Sequence, residues 1–235
     1  MNYPSKIKVG ERSFDVFYES LIKGSSSVRL KNGAVHMRLS RFSMGRGRDL
    51  VVEKFLKWAE KKLSKVSTSD FIEPDYRDGG RIVTHNKVYD LRIYLSDRRN
   101  NRVIIDGGLI ECFVNDDDID IVRGLVEKKI IRDQIIYLRE VVSELNQLYF
   151  QEKYNLVRFK RITSRFGSCS SRRNINIAYR LLYAPREVFR YVCVHELSHL
   201  KQMNHSRKFW DLVESAMPEY RKSEKWLSNN GFVLG

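Results

Sequence analysis

The chain has 235 residues, 42% of them hydrophobic and 31% charged, which suffices for a hydrophobic core and excludes wholesale disorder. No apolar run approaches the roughly 20 residues of a membrane span, and Met1-Asn2-Tyr3-Pro4-Ser5-Lys6 lacks the apolar core of a secretory signal, so a cytoplasmic protein without membrane contact is expected. Cys112, Cys169 and Cys193 show no CxxC spacing, which excludes a disulfide framework or a cysteine zinc knuckle, and the net charge of +14 is concentrated at the two ends of the chain. Residues 1–66 carry 15 basic and 6 acidic groups, residues 67–130 carry 10 and 13, and residues 131–235 carry 18 and 10.

In chain order, the alternating runs Val28–Leu30 and Val35–Leu39 flank Asn32-Gly33, a strong hairpin signal. From Asp49 to Lys65 the apolar residues Val52, Phe55, Leu56, Ala59 and Leu63 recur at helical spacing. Strands return at Arg81–Val83, Val88–Leu95, Val103–Ile105 and Leu109–Val114, separated by turns that include Gly79-Gly80 and Gly107-Gly108. Asp116-Asp117-Asp118 suits a helix N-terminus, and a long helical stretch follows to about Phe150.

Between Glu152 and Glu187 the chain has no acidic residue and nine basic ones: Lys153, Arg158, Lys160, Arg161, Arg165, Arg172, Arg173, Arg180 and Arg186. Such a block either attracts polyanions, nucleic acid above all, or is a solvated basic face; composition alone leaves both readings open. A strand is expected over Asn174–Leu181, a helix opening at Pro185 and running from Arg186 to Gln202, and a last helix from near Ser206 that Pro218 closes. No internal repeat or Pro/Gly-rich linker is apparent. The pattern predicts an α+β fold in one domain, 1–235, with a strand-rich part over 1–123 and a helix-rich part over 124–235. The N-terminal strands are expected to be antiparallel, accompanied by one helix.

Three of the five histidines fall within eleven residues, His195-Glu196-Leu197-Ser198-His199 followed by His205. Residues four apart share a helix face, so His195 and His199 can meet one metal ion, and Glu196 lies where its carboxylate reaches a bound water. His205 is the natural third ligand, because the intervening residues let the helix end and the chain turn back, with Asn204 suited to a left-handed turn. Three imidazoles suit zinc and also nickel, cobalt, copper or iron; zinc is the default for hydrolysis without redox chemistry.

The run Arg165-Phe166-Gly167-Ser168-Cys169-Ser170-Ser171, then Asn174-Ile175-Asn176, Tyr179-Arg180-Leu181, Ala184-Pro185, Tyr191 to Leu200, and Asn204-His205-Ser206 with Phe209-Trp210, Pro218 and Tyr220, resembles the YgjP-like metallopeptidase family of zincins. These blocks cover roughly residues 158–230; the family pattern has Trp where Phe166 stands. The resemblance implies a zincin-like fold, one zinc ion per chain on His195, His199 and His205, and Glu196 as catalytic base. The family is also similar to the SprT-like proteases, some of which act on proteins bound to DNA.

Weaker candidates are Arg180 and Tyr220 as oxyanion stabilisers, Asp211 and Glu214 as groups orienting an imidazole, and Cys169 as a nucleophile. Phe209, Trp210 and Cys193 read as core. The expected activity is zinc-dependent hydrolysis of a peptide or protein substrate by a zinc-activated water with Glu196 as general base, the strand 174–181 offering an edge for the substrate and residues 153–186 a contact for nucleic acid. The alternative is a basic nucleic-acid-associated binding protein whose metal site is structural or inactive.

Overall fold

The computed structural model describes residues 3–31, 33–66, 73–97 and 100–234. Two compact units are formed, Met1–Thr68 with Lys225–Gly235, and Ser69–Glu224. Among the described residues no helix is long and apolar enough to cross a membrane.

The first unit is a four-stranded sheet with one long helix. Its strands are β1 (Lys6–Val9), β2 (Arg12–Leu21), β3 (Ser27–Lys31) and β4 (Ala34–Ser40), in the order β1-β2-β4-β3, followed by α1 (Arg46–Leu63). The expected hairpin is β3–β4, closed at Lys31 opposite Ala34; Gly33 supplies the positive φ of 69° that its turn requires, and Asn32 lies outside the described residues. Strict alternation puts Phe14, Val16, Val35, Met37 and Leu39 on one face, where they share a core with Val52, Ala59 and Leu63 of α1.

The larger unit opens with β5 (Arg81–Val83), β6 (Val88–Leu95), β7 (Arg102–Asp106) and β8 (Leu109–Val114), in the order β5-β6-β8-β7. This is the strand order of the first sheet repeated, down to the direction of each pairing. In both sheets the outer pairs are antiparallel and the central pair, β2 with β4 or β6 with β8, is parallel. The third strand of each set turns back one place too far and the fourth fills the gap, so antiparallel hairpins produce a mixed sheet. A helix follows each set, α1 after the first and α2 (Ile119–Asp133) after the second. The sequence conceals this repeat because only the inward positions are alike in character.

Asp118 caps α2 as its position suggests, accepting hydrogen bonds from the backbone N–H groups of Asp120 and Ile121. The expected continuous helix breaks at Gln134. This residue is buried, and its amide donates to the Tyr89 hydroxyl (2.6 Å) and accepts from Asn86 (2.9 Å). The helical path resumes as α3 (Ile135–Leu145), widens into a π-turn over Asn146–Phe150, and stops where Gln151 takes φ 52°.

The third sheet carries the site. It consists of β9 (Leu156–Lys160), β10 (Gly167–Cys169) and β11 (Asn174–Ala178), ordered β10-β11-β9. The expected edge strand is therefore central: β11 pairs in parallel with β9 and antiparallel with β10, and Ile175 to Ala178 are buried. β10 holds the edge instead. The strand also ends earlier than expected, because Tyr179–Tyr183 tightens into a 3-10 turn. α4 (Arg186–Ser198) then packs against α3, α5 (Arg207–Ala216), β10 and β11, and α6 (Tyr220–Asn230) closes the chain.

Candidate metal centre and active site

α4 begins directly after Pro185, whose fixed φ suits a helix start, and presents Val188, Tyr191 and Val192 to the interior. His195 and His199 continue that inward stripe, His199 standing at the C-cap. The helix ends at Ser198, earlier than expected, and the backbone N–H groups of Lys201 and Gln202 turn back onto the Ser198 carbonyl. Among the described residues only Gln151 and Arg173 are non-glycine residues with positive φ, so the expected left-handed Asn204 is corrected. Asn204 shapes the turn through its side chain, whose oxygen accepts from Gln202 Nε2 (2.7 Å) and from the Ser206 backbone N–H (3.2 Å). This brings His205 back over the helix just before α5.

The three imidazoles converge, with one ligand nitrogen from each lying within 4.8 Å of the others. His195 and His205 bring their Nε2 atoms to 3.0 Å. His199 places Nδ1 3.1 Å from the Gln202 carbonyl, so a proton on Nδ1 leaves Nε2 as the acceptor turned to the cluster. The Phe209 ring is fully buried and lies 4.6–4.9 Å from all three imidazole centroids, forming a common floor. Burial, then the neighbouring His199 and His205, pushes the His195 pKa down to about 3, which keeps its ring neutral and its lone pair available. Converging ring nitrogens, with no carboxylate in the cluster among the described residues, fit a shared divalent cation, and the all-imidazole donor set suits zinc.

Glu196 lies one residue along and is 4% exposed. Burial raises its pKa to about 8, against the opposing effects of Arg165 and a backbone hydrogen bond from Cys169. Its Oε2 has no hydrogen-bond partner among the described residues. Gly167, the first residue of the edge strand β10, makes room for this carboxylate. A Cβ there would fall within 2.8 Å of Glu196 Cγ and Cδ and closer still to Oε1. An isolated glycine opening a short strand is a sign of such close approach, and it was the available signal for this contact.

A match to the YgjP-like, metallopeptidase domain family extends over residues 26–230. The chain belongs to the YgjP-like family. The metallopeptidase domain therefore includes most of both compact units as well as the histidine cluster. Two solved structures are similar over a smaller part. The metallopeptidase zymogen of Pyrococcus abyssi abylysin aligns at 22% identity over 37% of this chain and 89% of its own, with a TM-score of 0.35. That of Methanocaldococcus jannaschii jannalysin aligns at 23% identity over 37% and 90%, with a TM-score of 0.33. No curated protein matches the chain.

In this YgjP-like chain the weaker candidates have contacts of their own. Arg180 is buried, its guanidinium lying 4.4 Å from the centroid of the Phe166 ring and donating to the carbonyls of Thr163 (3.2 Å) and Arg165 (3.4 Å). It clamps the loop that enters β10. Tyr220 is stacked between Tyr191 and Trp210 and is also buried. Asp211 and Glu214 line a surface cavity of about 500 Å³ with Arg207 and Arg221. Burial, reinforced by Glu196, pushes the Cys169 thiol up to about 11, so it is not a thiolate nucleophile at neutral pH.

Part of the basic block 153–186 is engaged within the fold. Arg161 pairs with the buried Glu127, Arg173 with Glu152 and the Lys153 carbonyl, and Arg158 with Asn176 (2.8 Å), while Arg180 is interior. Seven of the nine basic residues remain exposed, and Arg161 is paired while half exposed.

Proposed function

We propose that the protein is a zinc-dependent metallopeptidase in which His195, His199 and His205 hold the ion and Glu196 is the general base. The observation that carries this reading is the convergence of three imidazoles on α4 and the following turn beside a buried carboxylate seated against the edge strand β10. When bound, the ion supplies the Lewis acidity that acidifies a water and polarises the scissile carbonyl.

The remaining tasks belong to the chain. The Gln202 carbonyl fixes the His199 tautomer, and Phe209 holds the three rings in register. Glu196 takes a proton from the attacking water and delivers it to the leaving amine. β10 pairs with β11 on one side only, so its outer backbone groups suit an extended peptide or protein substrate adding as a further strand. These elements lie in the catalytic part over 124–235. A cytoplasmic setting agrees with three unpaired cysteines. The alternative, a nucleic-acid-associated protein with a structural metal, gives neither the buried Glu196 carboxyl nor the clearance at Gly167 a role.

Glu196→Gln tests the reading. It should retain the metal and lose peptide cleavage by about 10²- to 10⁴-fold. A metal-replete variant cleaving at the wild-type rate would overturn the assignment.

A further inference from the structure

The first sheet turns one face to α1 and leaves the other open. On its central strands Phe17 and His36 stand opposite each other in register, their rings stacked 5.1 Å apart at 26°, and Phe17 is 53% exposed. Arg29 of β3 continues the same row, directly across from His36. Around this pair the open face carries Lys6, Lys8, Arg29, Lys31 and Arg38. Its two carboxylates are already engaged, Asp15 by Lys6 and Glu19 by Arg38. Lys8, Arg29 and Lys31 form no ion pair among the described residues. From Ser20 to Arg48 the chain has no acidic residue at all.

The second sheet is an internal control. It has the same strand order and pairings, yet its open face balances Arg81, Arg92 and Arg102 against Asp90, Glu111 and Asp106. The topology therefore does not require the excess positive charge of the first sheet.

We propose that the open face of the β1–β4 sheet binds single-stranded nucleic acid. A base stacks on the Phe17–His36 pair, and the cations on the flanking strands meet the phosphates. An open sheet with aromatics on its central strands and cations around them provides the stacking platform and electrostatic track that a single strand uses. A lipid surface fits less well, because the apolar element of this face is one stacked aromatic pair within a field of charge. This surface belongs to the first compact unit and the histidine cluster to the second, and binding here does not depend on peptidase activity.

The test is fluorescence anisotropy of labelled dT20 with the full-length protein. Binding should weaken with salt, the logarithm of affinity against that of salt falling with a slope of about −2 for three cations on a single strand. Phe17→Ala, with unchanged thermal unfolding and charge, should weaken binding about 5- to 100-fold. Arg29→Glu/Lys31→Glu should abolish it, whereas Arg102→Glu on the second sheet should leave it unchanged. Failure of dT20 to bind in 50 mM salt would overturn the proposal. So would equal losses from Arg102→Glu and the β3 variant, or binding to phosphatidylserine vesicles in place of the oligonucleotide.

Discussion

The two four-stranded sheets share one topology and differ in what they show to solvent. Their inward positions are alike: Val35, Met37 and Leu39 on β4 correspond to Ile110, Cys112 and Val114 on β8, all almost fully buried. Their outward positions have diverged. Where the first sheet pairs Glu19 with Arg38, the second stacks Tyr94 on Phe113 at 5.0 Å. Burial fixes the character of half the residues in each sheet, and the other half is left to respond to partners.

Substitutions should separate these halves by size of effect. Leu39→Ala on β4 and Ile110→Ala on β8, each fully buried, should each cost about 2–5 kcal/mol in denaturant unfolding. Equal tolerance of either would break the correspondence of the two cores. Committed charge comes next: Arg161→Met deprives the buried Glu127 of a partner and should destabilise by about 2 kcal/mol, with Arg123 and solvent limiting the loss. Lys31→Met, on the open face, should stay within about 0.5 kcal/mol of wild type. A cost for Lys31→Met matching that for Arg161→Met would erase the distinction between the two acid-free basic stretches.

Buried charge in the site gives a pH-dependent version of the same contrast. In chelated protein the folded state holds the Glu196 proton up to about pH 8, while an unfolded carboxylate releases it near 4.5. The stability from that protonation is complete below the unfolded pKa and is lost as pH rises through 8. Metal-free wild type should therefore lose stability relative to Glu196→Gln between pH 5 and 8, by an amount on the order of 2 kcal/mol. His195 acts in the opposite sense: its depressed pKa makes folding less favourable as pH falls from 6.5 towards 3. Parallel unfolding curves for the two proteins across pH 5–8 would contradict the burial of Glu196.

What was legible in the sequence was local. The i,i+4 histidines, the Asp118 cap, the β3–β4 hairpin and the strands 81–83, 88–95 and 109–114 are all specified by neighbours within a few residues. The central place of β11 was hidden because it depends on β9 and β10, two short strands without a long alternating pattern. Gly167 against Glu196, Arg180 beneath the loop before β10, and Phe209 under the imidazoles are contacts across tens of residues or between successive helices. Arg161 and Arg173 looked like free charge because their partners, Glu127 and Glu152, lie outside the acid-free stretch.

The central claim is that His195, His199 and His205 form one metal centre, and elemental analysis of purified wild type and the three single His→Ala variants tests it most directly. About one zinc per chain in wild type, lost in His199→Ala and strongly reduced in His195→Ala and His205→Ala, is the predicted result. Zinc retained at the wild-type level in all three variants would contradict it.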